Sequence, residues 1–238
     1  GGLRHAMYGN EPTVFEFRGL FGVRVEVKQS LIWLAGLYLL LSAMSARGLG
    51  DAGSLVALIV ASIYLHELGH AWGCRVQGVA VHRIVIFGGG GFCEHARARN
   101  TQDELIVAMG PIVNLALWAI TSLAVGYLFD ATLAAGRHDP WLLQVMIWGD
   151  TFAMINFALF LFNLVPVQPL DGGKLLHLVL LRLVAPGRAL RIAGTVGVVF
   201  SVLWWPGLLY LYLTSGWLLL FAPSLRQHLA MMRGQIGG

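Results

Sequence analysis

Residues 52–76 read Ala52-Gly-Ser-Leu-Val-Ala-Leu-Ile-Val-Ala-Ser-Ile-Tyr-Leu-His66-Glu67-Leu68-Gly69-His70-Ala-Trp-Gly-Cys74-Arg-Val76. The run is long enough to cross a bilayer, which takes about 20 mostly apolar residues. Yet its second half carries two histidines and a glutamate. On a helix, positions i and i+4 share one face, so His66 and His70 can meet a single metal ion. H-E-x-x-H is a pattern of two zinc-binding imidazoles with a general base beside them. On a soluble helix these five residues would mean little. In lipid a charged side chain at the helix centre costs about 2.5–3.5 kcal/mol on insertion scales, and such groups persist for function.

The rest of the chain is of the same kind. Of 238 residues, 57% are hydrophobic and only 12% charged, with a mean hydropathy of +0.72. A typical globular domain carries roughly 25% charged residues. Disordered, coiled-coil, collagen-like and nucleic-acid-binding chains are excluded, and the net charge of +4 does not point to DNA. Cys74 and Cys93 are too few for a disulfide scaffold or a four-cysteine zinc site.

The expected fold is an all-α polytopic membrane protein of about six transmembrane helices with a small cytoplasmic-side β-sheet or hairpin. The spans are expected at residues 29–46, 52–76, 105–129, 149–166, 190–205 and 207–223. The last two are divided at Pro206–Gly207. A single long helix there would carry the C-terminus across the membrane. Residues 1–28 then form a cytoplasmic N-terminal segment, 29–225 the membrane domain and 226–238 a cytoplasmic tail. The 28 residues before the first span exceed an ordinary signal-peptide n-region, so that span is expected to be uncleaved.

The charges agree with this division. Arg4, Arg18, Arg24 and Lys28 precede the first span. Arg75, Arg83, Arg97 and Arg99 follow the second, Lys174, Arg182, Arg188 and Arg191 the fourth, and Arg226 and Arg233 the last. These account for 14 of the 16 Lys and Arg, and the opposite side holds Arg47 and Arg137. By the positive-inside rule both termini are cytoplasmic. Val14–Phe17, Val23–Lys28 and Val79–Phe87 alternate or concentrate β-branched residues, a strand signal. The last runs into Gly88, Gly89, Gly90, Gly91 and Phe92, a turn flanked by apolar residues.

A catalytic zinc takes three protein ligands and a water. Cys74 lies about 12 Å along the helix from His66 at 1.5 Å per residue, too far for one ion. Asp171, in Asn163-Leu-Val-Pro166-Val-Gln-Pro169-Leu-Asp171-Gly-Gly, is the better candidate. His66 lies about 22 Å below Asp51 and Asn163 about 20 Å below Asp150, so the two share a depth. Pro166 and Pro169 break the helix, and the broken chain can return to that depth where it lines a cavity. In Gly110-Pro111-Ile-Val-Asn114, Gly110 permits close helix approach and Pro111 can kink the helix. Asn114 needs a hydrogen-bonding partner and is either packing or site support. Asn156 stands the same way. His82, His95, His138 and His177 fall in connections and read as surface or packing residues.

With these four motifs in this order, the chain resembles the site-2 protease family of intramembrane zinc metalloproteases, from about residue 14 to 192. The resemblance implies one zinc ion held by His66, His70 and Asp171, with Glu67 as catalytic base. It places Asn163 at the site, against substrate or oxyanion, and makes Gly110, Pro111 and Asn114 structural support. It implies a multi-pass protein of the cell membrane whose substrates are membrane proteins with a transmembrane helix. No PDZ or CBS domain is visible. The Phe87–Phe92 turn and its strand could hold an extended substrate by strand addition, so Phe87, Gly88, Gly89, Gly90, Gly91, Phe92 and Pro169 are the candidate substrate-binding residues. A zinc transporter or sensor, and an inactive client-binding relative, are the alternatives. A transporter usually shows repeat symmetry, which this sequence does not.

Overall fold

The computed structural model describes residues 11–44, 48–136, 139–215 and 221–235; Arg4, Arg47, Arg137 and His138 lie outside the described residues. In chain order the elements are β1 (Thr13–Arg18), β2 (Arg24–Lys28), α1 (Gln29–Ala43), α2 (Leu49–Val76), β3 (Val81–Phe87), β4 (Gly90–His95), α3 (Asn100–Ala134), α4 (Pro140–Asn163), α5 (Asp171–Leu183), α6 (Pro186–Ser215) and α7 (Leu225–Met232). Among the described residues four helices, α2, α3, α4 and α6, are long and apolar enough to cross a membrane, and α1 is apolar but shorter. Ile120, Leu123, Tyr127, Trp205, Leu209 and Leu213 are each more than half exposed. Helices apolar on their outer faces as well belong in lipid. The chain is a multi-pass membrane protein, mostly helical with one small sheet, and six is an approximate count of its spans.

The chain does not turn at Pro206–Gly207. α6 runs unbroken from Pro186 to Ser215 with Pro206 inside it. A proline removes one helical hydrogen bond, but within a membrane the helix persists because the freed carbonyls are satisfied locally. By Phe221 the chain is back beside Trp204, whose Nε1 donates to the Phe221 carbonyl at 2.8 Å. α7 then runs back along α6. The expected boundary at residue 226 therefore cuts a packed helix, in which His228 and Met231 are buried.

The sheet has the order β1-β2-β3-β4, with β2 and β3 parallel and the outer pairs antiparallel. Period-two alternation gives it two unlike faces. Val25, Ile84 and Ile86 pack on Leu68 and Ala71 of α2, each large apolar side chain contributing about 1.5–3 kcal/mol when fully buried. Glu26 receives Lys28 Nζ at 2.9 Å and Arg83 Nη1 at 2.9 Å, and Arg83 also meets Glu94 at 2.6 Å. The sheet thus sits on the C-terminal half of α2, where His66, Glu67 and His70 lie. On the other side of that half, a Cβ at Gly69 would stand 2.7 Å from the Met109 carbonyl oxygen. Only glycine lets α2 and α3 approach so closely.

Candidate metal centre and active site

α2 supplies His66, Glu67 and His70, all buried. Asp171 opens α5 and is also buried. Between α4 and α5, residues 164–170 form a strap whose Gln168–Pro169 peptide is cis. A Cβ on Gly172 would overlap the backbone of Leu164 and Val165, and one on Gly173 that of Val167. The Asp-Gly-Gly sequence is therefore what lets the strap fold onto the first turn of α5 and carry Asp171 inward.

The three side chains converge. His66 Nε2 stands 3.0 Å from Asp171 Oδ2 and His70 Nε2 3.2 Å from the same oxygen, with the two Nε2 atoms 3.1 Å apart. The ligand-capable atoms of His66, Glu67 and His70 all lie within 4.8 Å of one another.

The opposite ring nitrogens fix the tautomers. His66 Nδ1 donates to Asn114 Oδ1 at 2.5 Å, and His70 Nδ1 donates to the Ile106 carbonyl at 2.7 Å. Both partners only accept, so each neutral imidazole carries its proton on Nδ1. Two Nε2 lone pairs and a carboxylate oxygen then face one another with no donor between them. A single shared cation would satisfy three acceptors so placed. Tetrahedral zinc with bonds of about 2.0–2.1 Å holds its ligand atoms roughly 3.3 Å apart, close to the spacing found here. The donor set suits one zinc ion.

The support behind His66 continues inward. Asn114 Nδ2 donates to Asn156 Oδ1 at 2.7 Å, and Asn156 Nδ2 donates to Ser62 Oγ at 3.0 Å and to the Phe152 carbonyl at 2.8 Å. Every polar atom of this buried relay from α2 through α3 to α4 is directed. Outer-shell contacts of this kind orient a ligand and fix its tautomer. Gly110 has a different part: a Cβ there would overlap both imidazole rings. Pro111 is buried beside it, within a helix that continues past it.

Asn163 ends α4, and its Nδ2 donates to the Leu159 carbonyl at 3.0 Å, so its donor points along its own helix. Cys74 lies in a fully buried apolar cluster with Val79 and Ile106. Phe87 and Phe92 bracket the β3–β4 turn, ring centroids 6.2 Å apart. Gly88 N donates to Ser30 Oγ at 2.9 Å, tying this turn to α1. A Cβ on Gly91 would stand 2.8 Å from Glu67 Cγ. The glycine turn thus brings β4, an outer strand of the sheet, directly against the candidate base. Pro169 lies in the strap, two residues before Asp171. Sequence reasoning left Asn156 open and did not consider Ser62 or the Ile106 carbonyl. Polar residues isolated in apolar spans at one depth were the available signal.

The sequence pattern of peptidase family M50 matches residues 54–147 and 144–204. The chain belongs to peptidase family M50. It is 32% identical over 149 residues to a Synechocystis protein named as a zinc metalloprotease, covering 61% of this chain and 36% of that one. To the zinc metalloprotease MJ0392 of Methanocaldococcus jannaschii it is 29% identical, covering 60% of this chain and 39% of the other. To Rip3 of Mycobacterium tuberculosis, named as a zinc metalloprotease, it is 35% identical, covering 56% and 32%. The matched stretches thus span between about a third and two fifths of these relatives' lengths. The fold is similar to the solved site-2 protease from Methanocaldococcus jannaschii, with a TM-score of 0.61 at 21% identity over 92% of each chain. The M50 match takes in α2, α3, α4 and α5, which build the metal centre, and ends at residue 204. It leaves out β1, β2 and α7.

Proposed function

We propose that the chain is an intramembrane zinc metalloprotease that hydrolyses peptide bonds in or near the transmembrane segments of membrane proteins. The observation that carries this reading is the convergence of His66 Nε2, His70 Nε2 and Asp171 Oδ2 as three acceptors inside an apolar bundle, with Glu67 buried beside them. A zinc ion held there would supply Lewis acidity toward a carbonyl and a water. The chain's own residues do the rest. The Glu67 carboxylate takes the proton of the attacking water and delivers it to the leaving amine nitrogen. Asn163 serves as an oxyanion donor once its Nδ2 turns from the Leu159 carbonyl. A membrane helix hides its carbonyls in its own hydrogen bonds, so the substrate must unwind locally. The extended segment then adds to the β4 edge, between Phe87, Phe92 and the glycine turn on one side and the Pro169 strap on the other.

The protein resides in the cell membrane with both termini cytoplasmic, from the distribution of Lys and Arg. Two contacts support this. The sheet packs on the C-terminal half of α2, and Gly234 lies beside Arg191 at the start of α6, so the end of the chain returns to the side from which α6 departs.

The test uses purified, zinc-loaded protein and a detergent-solubilised single-span peptide carrying a fluorophore and a quencher. Glu67→Gln should retain zinc and lose about 10²–10⁴-fold in turnover, the range of a general base. Substantial cleavage by the zinc-loaded variant, or zinc movement across vesicles whether or not Glu67 is present, would turn the reading toward binding or transport.

A further inference from the structure

From outside the M50 match, α7 reaches the strap that leads into Asp171. Gly194, Gly197 and Ser201 lie on one face of α6, at i, i+3 and i+7, and α7 packs against them. A Cβ at Gly194 would overlap the Met232 backbone, and one at Gly197 would overlap the His228 ring. His228 is 1% exposed. Its Nδ1 lies 2.8 Å from the Ser224 carbonyl and 3.3 Å from Ser201 Oγ. Its Nε2 lies 2.9 Å from the Gln168 backbone nitrogen.

Chemistry fixes the direction of these bonds. A carbonyl only accepts and a backbone N–H only donates. His228 Nδ1 therefore carries the proton and donates to Ser224, and Nε2 accepts from Gln168. Gln168 belongs to the strap and precedes Asp171 by three residues. The strap is joined to α4 at Asn163 and to α5 at Asp171. Within it, the Leu170 N–H bonds to the Val167 carbonyl at 2.9 Å. Val167 and Leu170 are buried, so the Gln168 amide is one of the groups that sets where the strap sits.

We propose that His228 is a positioning residue: from α7 it holds the Gln168 backbone and thereby sets the approach of the Asp171 carboxylate to His66 and His70. The inference rests on the reading of those three residues as the zinc ligands. It makes α7 part of the metal centre.

The test uses the full chain in detergent, with zinc affinity measured by competition against a chromogenic chelator and helical content monitored alongside. His228→Leu keeps the bulk and removes the acceptor. It should weaken zinc binding about five- to tenfold, the worth of one buried hydrogen bond acting on a ligand. His228→Gln sets an amide oxygen near the place of Nε2 and should return the affinity to near the wild-type value, a rescue that a purely space-filling role would not produce. Gly197→Ala displaces the ring without altering its chemistry and should match His228→Leu; it carries the test if His228→Leu fails to fold. Wild-type affinity in His228→Leu, or a Gln variant as weak as Leu, would overturn the inference. A wild-type protein that takes up no zinc would overturn the metal reading, and this inference with it.

Discussion

Gly110 and Asn114 are residues of α3 that shape the two histidines of α2. Gly110 leaves the space that both rings occupy, and Asn114 turns His66 so that Nε2 faces inward. Gly110→Ala should therefore displace both imidazoles, and Asn114→Ala should free one. Losing an outer partner of a ligand typically costs 10–100-fold in metal affinity. Asn114→Ala should fall in that range by chelator competition, and Gly110→Ala should lose more. Asn114→Ala also strands Asn156 Oδ1, which costs about 1–3 kcal/mol when a buried polar group loses its partner. Unaltered zinc affinity in both variants would remove these residues from the centre. His66, Glu67 and His70 were legible in the sequence because helical spacing alone puts them together. Asp171 was legible because two prolines and a shared depth narrow where the chain can go. The role of Asn114 was not, since no pattern within one helix tells which residue of its neighbour it faces.

At the scale of elements, the glycine turn lies against Glu67 and the strap carries Asp171 inward. Gly91 lies against Glu67, so Gly91→Ala should push the carboxylate away while leaving His66, His70 and Asp171 in place. The expected outcome is a loss of turnover of roughly the general-base magnitude, up to 10²–10⁴-fold, at unchanged zinc content. Equal loss of zinc would show instead that β4 supports the ligands. β1, β2 and β3 were readable from alternation, whereas β4 was not, because Gly90, Gly91 and Phe92 read as part of the turn; the sheet's position on α2 follows from the apolar face of β2 and β3. The end of the bundle was misread at Pro206. A Pro-Gly pair is a turn signal in water, but in lipid the cost of an unsatisfied backbone favours continuing the helix. The return limb and the buried place of His228 were invisible because both depend on α6 and α7 meeting in space.

At the scale of the molecule, the fold places a polar, metal-binding centre within a bundle whose outer faces are apolar. The sheet and the C-terminal limb gather at the same end of that bundle. A cysteine introduced at Gly136 should react with an impermeant maleimide added outside intact cells, and one at Arg97 should react only after the membrane is opened. The reverse pattern would invert the proposed orientation and with it the side from which water enters.

The central claim is that His66, His70 and Asp171 together hold one zinc ion, and metal analysis of the purified protein tests it most directly. The wild type and Cys74→Ala should each contain about one zinc per chain, the occupancy of a single three-ligand site, and Asp171→Asn should lose most of it. Zinc retained in Asp171→Asn but lost in Cys74→Ala would contradict the account.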